Sequence, residues 1–159
     1  MKDVFPISLI PDPQPLIGWH PSCISEKEMA KQKKTILIVD DDIDMSWLLQ
    51  NLLGSLDCDF QIANTGKEAL TFLKKEVPDL IFLDIKLPDM SGMRILKDVR
   101  ENNRKSPVIV ITSFGMEELR REASEWDLLY FFNKPFEVEK IQRIAQEALL
   151  FSEDVLRRK

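Results

Sequence analysis

Three short stretches of this chain are unbroken apolar runs: Ile36-Leu37-Ile38-Val39, Leu80-Ile81-Phe82-Leu83 and, after Pro107, Val108-Ile109-Val110-Ile111. A strand with one wet face alternates apolar and polar residues. A run without alternation has both faces covered, as in a parallel sheet packed between layers of helices. The residues between the runs supply those helices. Leu48, Leu49, Leu52, Leu53 and Leu56 recur at helical spacing within Met45–Leu56. Ala69, Leu70 and Leu73 do so within 66–75, and Ile95, Leu96 and Val99 within 91–101. Residues 116–125 read as a short helix, and Glu137 to about Phe151 or further as the last one. Cys58–Ala63 and residues 128–132 add two strands, for five in all, with strand 3 running to Asp84 and strand 4 from Pro107 to Thr112. Strand and helix alternate without internal repeats. The fold class that follows is α/β, a doubly wound five-stranded parallel sheet with helices on both faces.

The 159 residues suit one domain with some tail. Residues 1–34 stand apart, with five of the nine prolines and no sustained periodicity. They read as a flexible leader, with residues 1–30 mobile and dispensable for the chemistry of the domain. Its apolar residues, Phe5 and Trp19 among them, offer a short docking motif as the sharper reading and a solvated tail as the plainer one. The domain then spans 35–151 and a short tail 152–159. Net charge is −5, which disfavours DNA and anionic membrane surfaces. No apolar run approaches the ~20 residues needed to cross a bilayer, so no membrane insertion is expected. Cys23 and Cys58 form no disulfide framework, and a reducing cytoplasm is the expected setting.

In open sheets of this kind, ligands bind beyond the carboxyl ends of the strands. Asp40, Asp41 and Asp42 follow strand 1, Asp84 ends strand 3, Thr112 and Ser113 end strand 4, and Lys134-Pro135 follow strand 5. Clustered carboxylates disfavour one another's ionisation, and a hard divalent cation relieves that repulsion. An all-oxygen set without His or Cys favours Mg²⁺. Lys134 and Thr112 offer a positive charge and a donor suited to a phosphoryl group. A carboxylate can itself be the nucleophile that accepts such a group, forming an acyl phosphate.

The segments ILIVDDD, DLIFLDIKLPDMSG, PVIVITSFG and FFNKPF, in this order, resemble the receiver domain of two-component response regulators. The resemblance covers about Thr35 to Leu150. It implies a flavodoxin-like sheet of order 2-1-3-4-5 and makes Asp84 the phosphoacceptor. It further implies Asp41 as a direct Mg²⁺ ligand, Asp40 as an acidic partner, and the backbone carbonyl of Lys86 to complete the metal site. Thr112 and Lys134 would contact the phosphoryl oxygens, Phe131 would be the switch aromatic, and the Lys134-Pro135 bond would be cis. Asp127-Leu128 depart from the Gly-Ala common in the family, whereas Ser113 keeps the usual small residue beside the hydroxyl.

Other residues read more plainly. Asp42 suits an N-cap and Asp89 a turn better than a ligand position. His20 has no partners, and Trp47 and Trp126 read as packing residues. A merely structural Asp84–Lys134 ion pair is the rival to the whole site, but such a pair would need no further acids beside it. A dehalogenase-type enzyme would want an acid where Lys86 stands.

About nine residues follow the last predicted helix, too few for an output domain, so the expectation is a stand-alone receiver and not an enzyme beyond its own phosphorylation and slow dephosphorylation. A sensor histidine kinase or phosphotransfer protein would be the donor. The signal would leave by protein–protein contact, with a partner or a homodimer meeting the fourth helix, fifth strand and last helix. The alternative is a phosphorylation-independent adaptor.

Overall fold

The chain divides into two units, Met1–Gln32 and Lys33–Lys159. The computed structural model describes residues 33–102, 105–113, 128 and 130–157, with side chains through residue 150. Most of the expected leader, the helix expected over 116–125, Trp126 and Asp127 lie outside the described residues.

Within the second unit the described elements are β1 (Lys34–Val39), α1 (Ile43–Leu53), β2 (Cys58–Ala63), α2 (Gly66–Leu73), β3 (Leu80–Leu83), α3 (Gly92–Glu101), β4 (Val108–Thr112), β5 (Tyr130–Asn133) and α4 (Val138–Arg157). The five strands form one sheet in the order β2-β1-β3-β4-β5, every neighbouring pair parallel. This is the order and class expected from the sequence. Its register pairs Val39 with Leu83, Leu83 with Val110, and Thr112 with Asn133. The carboxyl ends of β1, β3, β4 and β5 therefore share one edge.

Alternating side chains divide the core in two. Leu37, Val39, Ile81, Leu83, Val108 and Val110 face α2 and α3, meeting Ala69, Leu73, Ile95, Leu96 and Val99. Ile36, Ile38, Leu80, Phe82, Ile109 and Ile111 face the other way, onto Leu49 and Leu53 of α1 and Ile141, Ala145 and Ala148 of α4. Burial on both faces is why the three central strands lack polar alternation. The edge strand β2 alternates instead, with Cys58, Phe60 and Ile62 more covered than Asp59 and Gln61.

Several boundaries shift for local reasons. Lys34, expected in the leader, opens β1, and its Nζ donates to the carbonyl of Leu149 in α4. Asp42 caps α1 as expected, accepting from the N–H groups of Asp44 and Met45 at 3.0 and 3.3 Å. The helix ends at Leu53, short of Leu56, where Gly54 caps it. β5 starts at Tyr130 and runs through Asn133, two residues later than expected at its start. α4 continues to Arg157, so most of the stretch expected as a short tail is helical. No proline or glycine follows Pro135 to stop it. Trp47, expected to pack, is 64% exposed, one turn from the 72% exposed Ile43 on the face of α1 turned from the sheet.

Candidate functional site

The site is assembled by main-chain bonds that prolong the strands. The Asp40 N–H donates to the Ala63 carbonyl at 3.2 Å, and the Asp84 N–H to the Val39 carbonyl at 2.8 Å. Across the sheet, the Lys134 N–H donates to the Thr112 carbonyl at 3.0 Å. The Lys134-Pro135 bond is cis, as expected. These bonds bring Asp40, Asp84, Thr112 and Lys134 to one end of the sheet, where they line a cleft of about 420 Å³ together with Asp41 and Lys86.

Asp40 and Asp84 are buried and Asp41 is exposed. One carboxylate oxygen from each lies within 4.8 Å of the others. Lys134 Nζ donates to Asp40 Oδ2 at 2.8 Å and to Asp84 Oδ2 at 2.9 Å. The remaining oxygens are also held: Asp40 Oδ1 accepts from the Asp42 N–H and Asp84 Oδ1 from the Lys86 N–H, each at 2.9 Å. Burial pushes the Asp40 carboxyl up, more than its bonds with Lys134 and the Asp42 N–H hold it down. Burial by itself would lower Lys134, but the two carboxylates outweigh it and leave the ammonium raised.

Donor chemistry decides what else fits here. Three carboxylates, with no nitrogen or sulfur ligand beside them among the described residues, suit a hard divalent cation. Asp40, Asp41 and Asp84 could hold Mg²⁺, with the Lys86 carbonyl on the wall of the same cleft. Among the described residues, Lys134 pairs with both buried acids, one ammonium against two carboxylates, which leaves a net negative charge for such an ion to offset.

The loop after Asp84 is tightly drawn. The Gly92 N–H donates to the Ile85 carbonyl at 2.8 Å, and Lys86 bridges Ser91. A Cβ on Gly92 would lie 2.2 Å from the Asp84 carbonyl oxygen, so only glycine lets α3 begin directly against the end of β3. Asp89 is no member of the acid cluster. Its carboxylate instead accepts from the N–H groups of Gly66 and Lys67 at the start of α2, at 2.8 and 3.0 Å. The turn chemistry of PDMSG showed where Asp89 bends the chain. A partner some twenty residues upstream leaves no local signal.

Thr112 is buried, at 1% exposure. Phe131 pairs with Val110 in the sheet and is partly buried against the α2/α3 side of the core, the face that Val110 also lines. Thr112, two residues beyond Val110 along β4, projects to that same face. Tyr130 and Phe132 project to the opposite side, their rings 4.7 Å apart.

A doubly wound sheet of order 2-1-3-4-5 with acids, a hydroxyl and a lysine gathered at its carboxyl edge defines a receiver-type protein. Comparison with known proteins agrees. Residues 36–146 match the model of the response regulator receiver domain, and the chain belongs to that family. It is 36% identical over 115 residues to sporulation initiation phosphotransferase F of Bacillus subtilis, covering 72% of this chain and 92% of that one. It is 31% identical over 120 residues to the transcriptional regulatory protein ZraR of Escherichia coli, covering 76% of this chain but only 27% of ZraR. Among solved structures, the signal receiver domain of a LuxO repressor protein from Vibrio parahaemolyticus superposes with a TM-score of 0.73 at 27% identity, over 78% of this chain and 97% of that one. A CheY-like receiver domain protein from Methanospirillum hungatei gives 0.72 at 27% identity, over 77% and 98%. Among the described residues, no helix is long and apolar enough to cross a membrane.

Proposed function

We propose that this chain is a cytoplasmic receiver that takes a phosphoryl group onto Asp84 from a histidine kinase or phosphotransfer protein and signals by changing its contacts with another protein. One observation carries the reading: Asp84 lies at the end of β3, hydrogen-bonded to Lys134 beside Asp40 and Asp41, on the wall of an open cleft. A carboxylate oxygen of Asp84 attacks phosphorus, the bond from phosphorus to the donor nitrogen breaks, and the donor imidazole leaves with the electron pair. The product is an acyl phosphate. Mg²⁺, when bound, offsets charge on the transferred group and orients it. Asp40 and Asp41 hold that ion with Asp84 and the Lys86 carbonyl, while Lys134 and Thr112 take the phosphoryl oxygens. The chain turns over no separate substrate. Its only further chemistry is hydrolysis of its own acyl phosphate.

The test is intact mass after incubation with acetyl phosphate. The mass rises by one phosphoryl group with Mg²⁺ and stays unchanged with a chelator. No rise under either condition would leave the fold as a phosphorylation-independent adaptor.

The signal's exit runs through the shared face of Thr112 and Phe131. A phosphoryl group on Asp84 draws the Thr112 hydroxyl towards it, opening space into which the Phe131 ring turns. Burying a phenyl ring leaves no hydroxyl in need of a partner. A phosphoryl group shifts this equilibrium only by its differential interaction with the two states. The surface altered comprises β5 and α4, where a partner or a second copy would dock. With beryllofluoride as the phosphoryl mimic, backbone NMR shifts should reach β5 and α4 in the wild type. In Phe131→Ala they should stay near Asp84, with phosphorylation itself intact. Equal shifts in α4 for both proteins would remove Phe131 from the route.

A further inference from the structure

The first turn of a helix leaves backbone N–H groups without intrahelical partners. In α2, Thr65 Oγ1 accepts from the Glu68 N–H at 3.2 Å, a local cap. The N–H groups of Gly66 and Lys67 are served from outside, by Asp89 Oδ1 at 2.8 Å and Oδ2 at 3.0 Å. Both carboxylate oxygens are therefore engaged. The positive end of the helix favours an anion there, and the Gly66 N–H bond, foremost, holds the Asp89 carboxyl below its usual value. The next residue is seated as well. A Cβ on Gly66 would lie 2.3 Å from Met90 Cγ, so Met90 rests directly on the glycine. Two consecutive residues of the β3–α3 loop thus dock on the start of α2. At the other end of the same loop, Asp84 Oδ1 holds the Lys86 N–H and Lys86 bridges Ser91.

We propose that Asp89 is a positioning residue for the metal and phosphoryl site: its clasp on the α2 N-terminus sets where the Lys86 carbonyl and the Asp84 carboxylate stand. The loop is anchored inside by Asp84 and outside by Asp89, with Lys86 between the two anchors. Cutting the outer anchor leaves the Lys86 carbonyl held only by the contacts to Asp84 and Ser91, and so less firmly placed beside the acids. This rests on the reading of Asp84 and Mg²⁺ given above.

The test titrates full-length protein with Mg²⁺ alone and follows amide exchange at Gly66 and Lys67. Asp89→Ala is expected to raise the Mg²⁺ Kd about tenfold, the scale for losing an outer-shell partner, while Asp89→Asn, which keeps one acceptor oxygen, recovers part of the loss. Thr65→Ala removes the neighbouring cap of the same helix without touching the loop. It should leave the Kd within about twofold of wild type, a change well below that scale, while loosening α2. A wild-type Kd in Asp89→Ala overturns the proposal, as does an equal weakening in Thr65→Ala, which would make helix stability the cause. If Asp89→Ala does not fold, Asp89→Asn decides: faster exchange at Gly66 and Lys67 with an unchanged Kd overturns the clasp. If the wild type binds no Mg²⁺ and takes no phosphoryl group, the reading of Asp84 falls as well. Binding and labelling in the wild type, with no effect at Asp89, sinks the clasp only.

Discussion

Asp84→Asn is expected to take up no phosphoryl group from acetyl phosphate, with or without Mg²⁺, so its intact mass stays that of the unmodified chain. The amide oxygen of asparagine carries no full negative charge and is a poor nucleophile, whereas the carboxylate it replaces can form the acyl phosphate. The variant should still fold. Asp84 Oδ1 accepts from the Lys86 N–H, and an amide oxygen can accept in its place. The change also removes one of the two buried acids that share Lys134. Stability is therefore expected to move by no more than ~1 kcal/mol, the scale of a single hydrogen bond. Loss of labelling in a folded chain then reports chemistry alone. Labelling of the asparagine variant to the wild-type extent would move the acceptor elsewhere, with Asp41 the first candidate by exposure and position.

Lys134→Met is expected to cost about 3 kcal/mol or more in the absence of Mg²⁺, because removing one partner from a buried charge set leaves the others unpaired. The side chains of Lys134, Asp40 and Asp84 are 15%, 4% and 9% exposed, so water screens them little. The direction with pH follows from the shifts. Lys134 is raised in the folded protein, so its contribution is complete below the ordinary lysine value and fades as pH rises through the raised one. Asp40 is already pushed up by burial, and without the ammonium it is pushed further. A raised carboxyl favours the fold in acid and opposes it as pH rises through its value. The deficit of Lys134→Met should therefore be largest at neutral pH and shrink in acid, where one carboxyl can hold a proton. Mg²⁺ should restore part of the loss by standing in for the missing positive charge. Denaturant unfolding at neutral and acidic pH, with and without Mg²⁺, measures all of this. A midpoint at neutral pH equal to that of the wild type would show that the three groups are not energetically coupled.

The central strands were legible because burial on both faces writes itself into consecutive residues. Ile36–Val39, Leu80–Leu83 and Val108–Ile111 show it without reference to any partner. The helices that cover them were legible from period, and Asp42 from the chemistry of capping. Edge strand β5 was less so. Only one of its four residues is buried, and its start falls two residues later than apolar content suggests. The far end of α4 was left open by the sequence, because no proline or glycine follows Pro135 to mark where the helix stops.

The sequence by itself determined the fold class and which chemical groups come to the carboxyl edge of the sheet, since strand ends and side-chain types are local properties. Tertiary structure alone decided how those groups meet. That Lys134 bonds to both Asp40 and Asp84, that the Thr112 carbonyl holds the lysine's own N–H, and that Asp89 turns from the acid cluster to α2 depend on strand order, register and the angle at which a loop leaves the sheet. Such contacts join residues far apart in the chain, 23 positions between Gly66 and Asp89 and 94 between Asp40 and Lys134. Periodicity reports only which side of an element is buried. It carries no record of which distant donor will face which acceptor once the layers have packed.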